Sequence, residues 1–182
     1  MDVKRKSTLI LPAVLLLWTL ACSLMAPPRA FSADAEAHPG NDWLIYHLPG
    51  EPATLNQITA TDAYESTVNS FIYESLIRRD ETSMELVPQL AESWEIADDH
   101  LTYTFHLKKN VRWHDGEPFT ARDIAFSFDR IRDPKVDAAH LRNYYQDIEN
   151  LEVLDDYTVR YHYKTPYFRA LEFCGGIPIM PS

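Results

Sequence analysis

The segment VRWHDGEPFTARD, residues 111–123, sets a histidine and three carboxylates around one glycine. Asp115 and Glu117, two residues apart, have the composition of a general acid/base pair, and His114 beside Asp115 has that of a carboxylate-oriented base. Both chemistries need more than composition. A general acid requires a carboxyl desolvated enough to raise its pKa, whereas Gly116 between the two acids marks a tight, solvated turn. A nucleophile would complete a secreted hydrolase, the alternative class, yet no serine stands in a nucleophile elbow and no cysteine lies in a catalytic context. The segment is therefore expected to be a scaffold turn with no catalytic residue.

Metal chemistry fares no better on spacing. His100, His106, His114, His140 and His162 fall in different segments, and no pair shows the helical spacing of an HExxH site. Gly175-Gly176 is not followed by Lys-Ser or Lys-Thr, so no phosphate loop is present. No metal and no cofactor is expected. Tyr144, Tyr145, Tyr157, Tyr161, Tyr163, Tyr167 and Phe168 crowd the last third of the chain. Such side chains either line a ligand cleft or fill strands, and the second role is the commoner for any single one.

The elements that must carry these residues are readable from periodicity. WLIYHLPG reads as a first strand ended by Pro49 and Gly50. Ala63 to Arg79 reads as a helix with Val68, Phe71, Ile72 and Leu76 on its packed face. SWEIA and LTYTFHL read as two strands of a hairpin turning at Asp98, Asp99 and His100, with Leu101, Tyr103, Phe105 and Leu107 facing inward. Thr120 and Asp123 have capping-box spacing, which predicts a helix over 121–132 closed by Pro134, with Ala121, Ile124, Ala125, Phe128 and Ile131 as its stripe. IENLEVLDDYTVRYHY repeats the hairpin pattern about Asp155-Asp156, and TPYFRALEFCGG reads as a short helix started by Pro166 and stopped by Gly175-Gly176. IPIMPS reads as a strand or its approach.

The chain has 182 residues, 46% hydrophobic and 24% charged, an ordinary globular composition. Residues 1–33 form an export signal: Lys4, Arg5 and Lys6 precede an apolar run from Leu9 to Leu20, then small residues and prolines. Cleavage near AFSA, after Ser32 or Ala33, releases a soluble chain. Processing at TLAC instead leaves Cys22 lipidated, although Thr19 stands where that pattern usually has leucine. Residues 34–41 follow as a mobile leader. Removing residues 1–33 takes away four basic and one acidic residue, so the net charge moves from −10 to −13. An acidic body of this kind repels nucleic acid and anionic lipid. Cys174 is then left without a disulfide partner in the chain.

LVPQLAESWEIADDHLTYTFHLKKNVRWHDGEPFTARDIAFSFDRI resembles the signature region of the family 5 extracellular solute-binding proteins, the peptide- and nickel-binding receptors of bacterial ABC importers. The likeness runs through Pro88, Leu90, Ala91, Ser93 and Trp94, then Tyr103, Phe105 and Leu107, then Val111, His114-Asp115-Gly116, Pro118, Thr120, Ala121 and Asp123. FIYESLIRRD, DYTVRYHYKTPYFRALEF and GGIPIMPS resemble its flanks. The resemblance implies a mixed α/β, two-lobed periplasmic-binding-protein-like fold, of which this chain is the N-terminal third. Residues 42–80 would begin lobe I, 81–170 would form an inserted small domain of hairpins and helices, and 171–182 would return toward lobe I. It implies a monomeric, non-enzymatic periplasmic receptor for oligopeptides or similar extended solutes that works with ABC permease subunits; nickel or another solute, or a non-binding truncated remnant, are the alternatives. Its ligand-near positions here would be Thr61, Asp62 and Ala63, after TLN, and the loop around His140.

Overall fold

The computed structural model describes residues 45–182. The export signal, the leader, Cys22 and the first two residues of WLIYHLPG lie outside them. The chain divides into two units, Met1–Tyr46 and His47–Ser182, and every element named below belongs to the second.

The centre of that unit is a four-stranded antiparallel sheet. It is built from β3 (Ala91–Ile96), β4 (Thr102–Leu107), β5 (Ile148–Asp155) and β6 (Thr158–Tyr163), in the order β3-β4-β6-β5. The two expected hairpins are thus halves of one sheet, joined where Phe105 pairs with Val159 and Tyr103 with Tyr161. Alternation decides the faces. Tyr103, Phe105 and Leu107 on β4, and Val159, Tyr161 and Tyr163 on β6, point into the core. Thr102, His106, Arg160 and His162 lie on the opposite face, half-buried.

The apolar face is covered by α2 (Ala121–Arg132), which buries Ala121, Ile124, Phe128 and Ile131, four of its five expected stripe residues. Its N-terminus is closed as the sequence predicts, with the Thr120 hydroxyl and the Asp123 carboxylate each taking a backbone N–H of the other's turn. Aromatic rings do much of the filling. Phe105 and Phe128 both meet Tyr161 edge-on, at centroid distances of 5.9 and 6.4 Å, the favourable arrangement for ring quadrupoles. Tyr103, Tyr145, Tyr161 and Tyr163 are buried strand and helix filler.

A separate two-stranded pair, β1 (Ile77–Arg79) with β2 (Leu86–Pro88), packs beside the sheet. The last helix, α4 (Ala170–Gly175), lies against β1. Gly175 is required there, because a Cβ would overlap the Ile77 side chain.

Five sequence expectations are corrected. The helix read over 63–79 ends at Ile72, as α1 (Ala63–Ile72), and residues 77–79 are a strand. The buried residues of α1 are Glu65 and Asn69, whereas Phe71 is well exposed; the apolar spacing had pointed to the wrong face. The final helix begins at Ala170, because Pro166 stands in the preceding loop. Residues 45–48 and IPIMPS carry no strand pairing, although Ile177 and Ile179 are buried in the core. His140 is not in a loop: it lies in α3 (Ala139–Tyr145), a short helix packed on α2.

Candidate functional site

The signature turn is a scaffold. Asp115 Oδ1 accepts the Glu117 N–H at 3.0 Å, Gly116 donates to the Trp113 carbonyl at 2.9 Å, and Gly116 has φ of 93°. His114, Asp115 and Glu117 are all exposed. What the turn buries is Phe119, with Trp113 packed edge-on at 5.9 Å. His106 and His162 pair with Glu95 at 3.6 Å and Glu152 at 3.4 Å on the outer sheet face. Among the described residues no group of three His, Cys, Asp or Glu side chains is arranged to hold a metal.

The Cys174 thiol is buried and lies 3.8 Å from the Tyr163 hydroxyl. Burial pushes it, and the hydroxyls of Tyr145, Tyr161 and Tyr163, well above their ordinary values. All four stay neutral and inert near neutrality.

The segment before α1 is different in kind. Residues 54–62 coil over the N-terminal turn of the helix, and nearly every backbone N–H in them has an internal partner. Asn56 donates to Thr54 Oγ1, Ile58 to Asn56 Oδ1, and Thr59 and Ala60 to the Asn56 carbonyl. Thr54, Thr61 and Asp62 all donate to one carboxylate, that of Glu65, at 3.0, 2.6 and 3.1 Å. Asp62 is the N-cap: its Oδ1 accepts from Tyr64 and Glu65, which satisfies two of the helix's free donors.

This leaves a definite pair of groups facing out. Asp62 is extended, with φ −107° and ψ 167°, so its own N–H and carbonyl lie along one edge and the neighbouring Thr61 carbonyl and Ala63 N–H along the other. The inner edge is used up, by Glu65 for the N–H and by Ser66 for the carbonyl. On the outer edge the Thr61 carbonyl and the Ala63 N–H have no partner among the described residues, and both residues are exposed. An acceptor and a donor spaced in this way fit one residue of an extended chain running parallel to residues 61–63.

Of the expected ligand-near residues, Thr61, Asp62 and Ala63 therefore form one surface, with Asp62 acting through its backbone and its cap. His140 is exposed near the start of α3, and among the described residues its side chain has no hydrogen-bond or ion-pair partner and nothing joins it to that surface. The residue missed from the sequence is Glu65. Its signal was present: Asp62 and Glu65 have the same N-cap-to-N3 spacing as Thr120 and Asp123.

Comparison with known proteins identifies the family. Residues 85–182 match the model of the bacterial extracellular solute-binding proteins, family 5 middle region. The dipeptide-binding protein of Escherichia coli K12 is 36% identical over 118 residues, covering 61% of this chain and 21% of that protein. Among solved structures, the binding protein AgaA of A. tumefaciens in complex with agropinic acid superposes with a TM-score of 0.66 at 32% identity, covering 72% of this chain and 27% of that one. Haemophilus influenzae OppA in complex with the peptide RPPGFSPFR gives 0.65 at 31% identity, covering 72% and 29%. The chain thus spans between a fifth and a third of the length of these proteins.

Proposed function

Because the chain belongs to the family 5 bacterial extracellular solute-binding proteins, we propose that it is part of the receptor of an ABC importer that captures oligopeptides or similar extended solutes. In this proposal residues 1–33 direct export to the periplasm, the receptor acts as a monomer without altering its ligand, and the bound solute passes to membrane permease subunits. Residues 42–80 and 171–182 are assigned to the first lobe and 81–170 to the inserted domain.

The observation that carries the substrate class is the outer edge at Asp62. A Thr61 carbonyl and an Ala63 N–H, on exposed residues and without a partner among the described residues, can hold a peptide unit through main-chain groups alone. Such contacts ignore side-chain identity, as a receptor for peptides of many sequences requires. Two similar proteins are named for peptides, the E. coli dipeptide-binding protein and the complexed H. influenzae OppA, which supports this choice.

Isothermal titration of the chain with a peptide mixture, agropinic acid and nickel-histidine tests it. Heat from peptides alone is expected; binding of nickel-histidine or agropinic acid without any peptide binding would overturn the substrate class. Mass spectrometry of the mature N-terminus tests export, with a start at residue 33 or 34 expected and a diacylated Cys22 marking the lipoprotein route.

A further inference from the structure

We infer that Glu65 is the positioning residue of the ligand edge: its carboxylate clasps both ends of the 54–62 segment and so fixes where the Thr61 carbonyl and Ala63 N–H point. The inference rests on the peptide-receptor reading for its consequence, but not for its geometry.

A capping-box glutamate ordinarily reaches back to one backbone N–H, that of the N-cap residue. Glu65 does this to Asp62, and does more. The oxygen that takes the Asp62 N–H also takes the Thr61 N–H at 2.6 Å, and the second oxygen takes the Thr54 N–H, eleven residues earlier, at 3.0 Å. One buried carboxylate, 3% exposed, therefore closes a ring that starts at Thr54 and ends at Asp62. Bonds from backbone N–H groups to a carboxylate are charge-assisted and stronger than neutral ones. Within the ring Asn56 makes its own turn, its side-chain and backbone oxygens holding Ile58, Thr59 and Ala60.

The consequence for binding is directional. The Thr61 and Asp62 N–H groups are consumed by Glu65 and are not available to a solute. The 61–63 edge can therefore offer one acceptor, on Thr61, and one donor, on Ala63, and only arrangements of an extended ligand that use this pair are satisfied there. Glu65 selects that pair without touching the ligand. Without the clasp the two freed N–H groups would turn to water or to the solute, and the edge would have to be ordered at each binding event, a cost that preorganisation removes.

Glu65→Gln keeps the shape of the side chain but turns one acceptor into a donor; Glu65→Ala removes the clasp, leaving the Asp62 cap in place. Amide hydrogen exchange read by NMR on the free chain tests the clasp without a ligand. The amides of Thr54, Thr61 and Asp62 are expected to be protected in the wild type, with all three losing at least about tenfold in protection in Glu65→Ala. The sheet amides of Phe105 and Tyr161 are expected to keep theirs. Unchanged protection at the three amides would overturn the inference. If the alanine variant does not fold, Glu65→Gln carries the same test, with loss at the Thr54 amide or at the Thr61 and Asp62 pair, whichever faces the new NH2 group.

Titration with a trialanine peptide tests the consequence. A loss in affinity of about tenfold or more in a variant whose sheet amides are unchanged supports positioning; equal affinity overturns it. A wild-type chain that binds no peptide while its three amides are protected would instead refute the receptor reading and leave the clasp standing.

Discussion

The Asp123 carboxylate accepts the Ser182 backbone N–H at 2.9 Å through Oδ1, while its other oxygen accepts the Thr120 N–H at 2.8 Å. One buried side chain thus closes α2 and ties residues 180–182 to that helix, helped by the Ser127 hydroxyl, which accepts the Met180 N–H at 2.8 Å. Asp123→Ala removes both bonds and leaves two part-buried donors unpaired. The expected loss is about 1–3 kcal/mol, read as a lower urea midpoint at unchanged m-value. Thr120→Ala removes only the hydroxyl half of the box, for about 1 kcal/mol.

Phe105 sits at the centre of the sheet, fully buried and edge-on to Tyr161. Truncation to alanine removes a ring that nothing nearby can replace. Phe105→Ala is expected to cost about 3–5 kcal/mol, enough to abolish a cooperative thermal transition if the chain is marginally stable. A conservative Phe105→Leu is expected to cost less and to keep the transition.

Two glycines should respond differently to the same substitution. At Gly116, with φ of 93°, an added Cβ meets nothing within 4 Å, so Gly116→Ala is expected to cost only the backbone strain of about 1–2 kcal/mol. At Gly175 an added Cβ runs into the buried Ile77 side chain. Gly175→Ala is expected to cost about 1–3 kcal/mol by overpacking. Combining it with Ile77→Ala should be less damaging than the sum of the two single changes, a coupling that a double-mutant cycle measures.

Alkaline pH should destabilise the core. The Cys174 thiol is held by burial above its reference value of 9.0, and burial likewise holds the hydroxyls of Tyr145, Tyr161 and Tyr163 above 10.0. In each case the folded state keeps a proton that the unfolded chain releases. The stability from these groups is complete below about pH 9 and is lost as pH rises through the thiol and phenol range. Melting temperatures between pH 8 and 11 should fall, and Cys174→Ala should delay the onset; a flat profile would show that these groups are not buried in solution.

Where one physical signal acted alone, the sequence was a good guide to the structure. In β4 and β6 the period of two ran over residues with one buried face, and Tyr103, Phe105, Val159 and Tyr161 lie where alternation puts them. In α2 cap and stripe agreed, and the helix spans 121–132 as expected. Signals that conflicted were misread. The apolar residues after Ala63 suggested a long helix, yet α1 turns the Glu65 carboxylate inward because the 54–62 segment needs its oxygens beneath it. The α3 helix went unseen because it is only seven residues long and lacks a side-chain cap. Thr61, Asp62 and Ala63 came from family resemblance; which carbonyl and which N–H there lack a partner among the described residues could be found only from the hydrogen bonds.

The most direct measurement is an NMR titration of the ¹⁵N-labelled chain with trialanine and with a depsipeptide analogue in which an ester oxygen replaces the central N–H. With trialanine the Ala63 amide proton is expected to move downfield and slow its exchange at saturation, while the Thr61 and Asp62 amides, already bonded to Glu65, stay in place. The analogue, with no proton for the Thr61 carbonyl, should bind about tenfold or more weakly. Saturable binding of trialanine with no change at Ala63, or equal affinity for the ester, would contradict capture of an extended ligand at this edge.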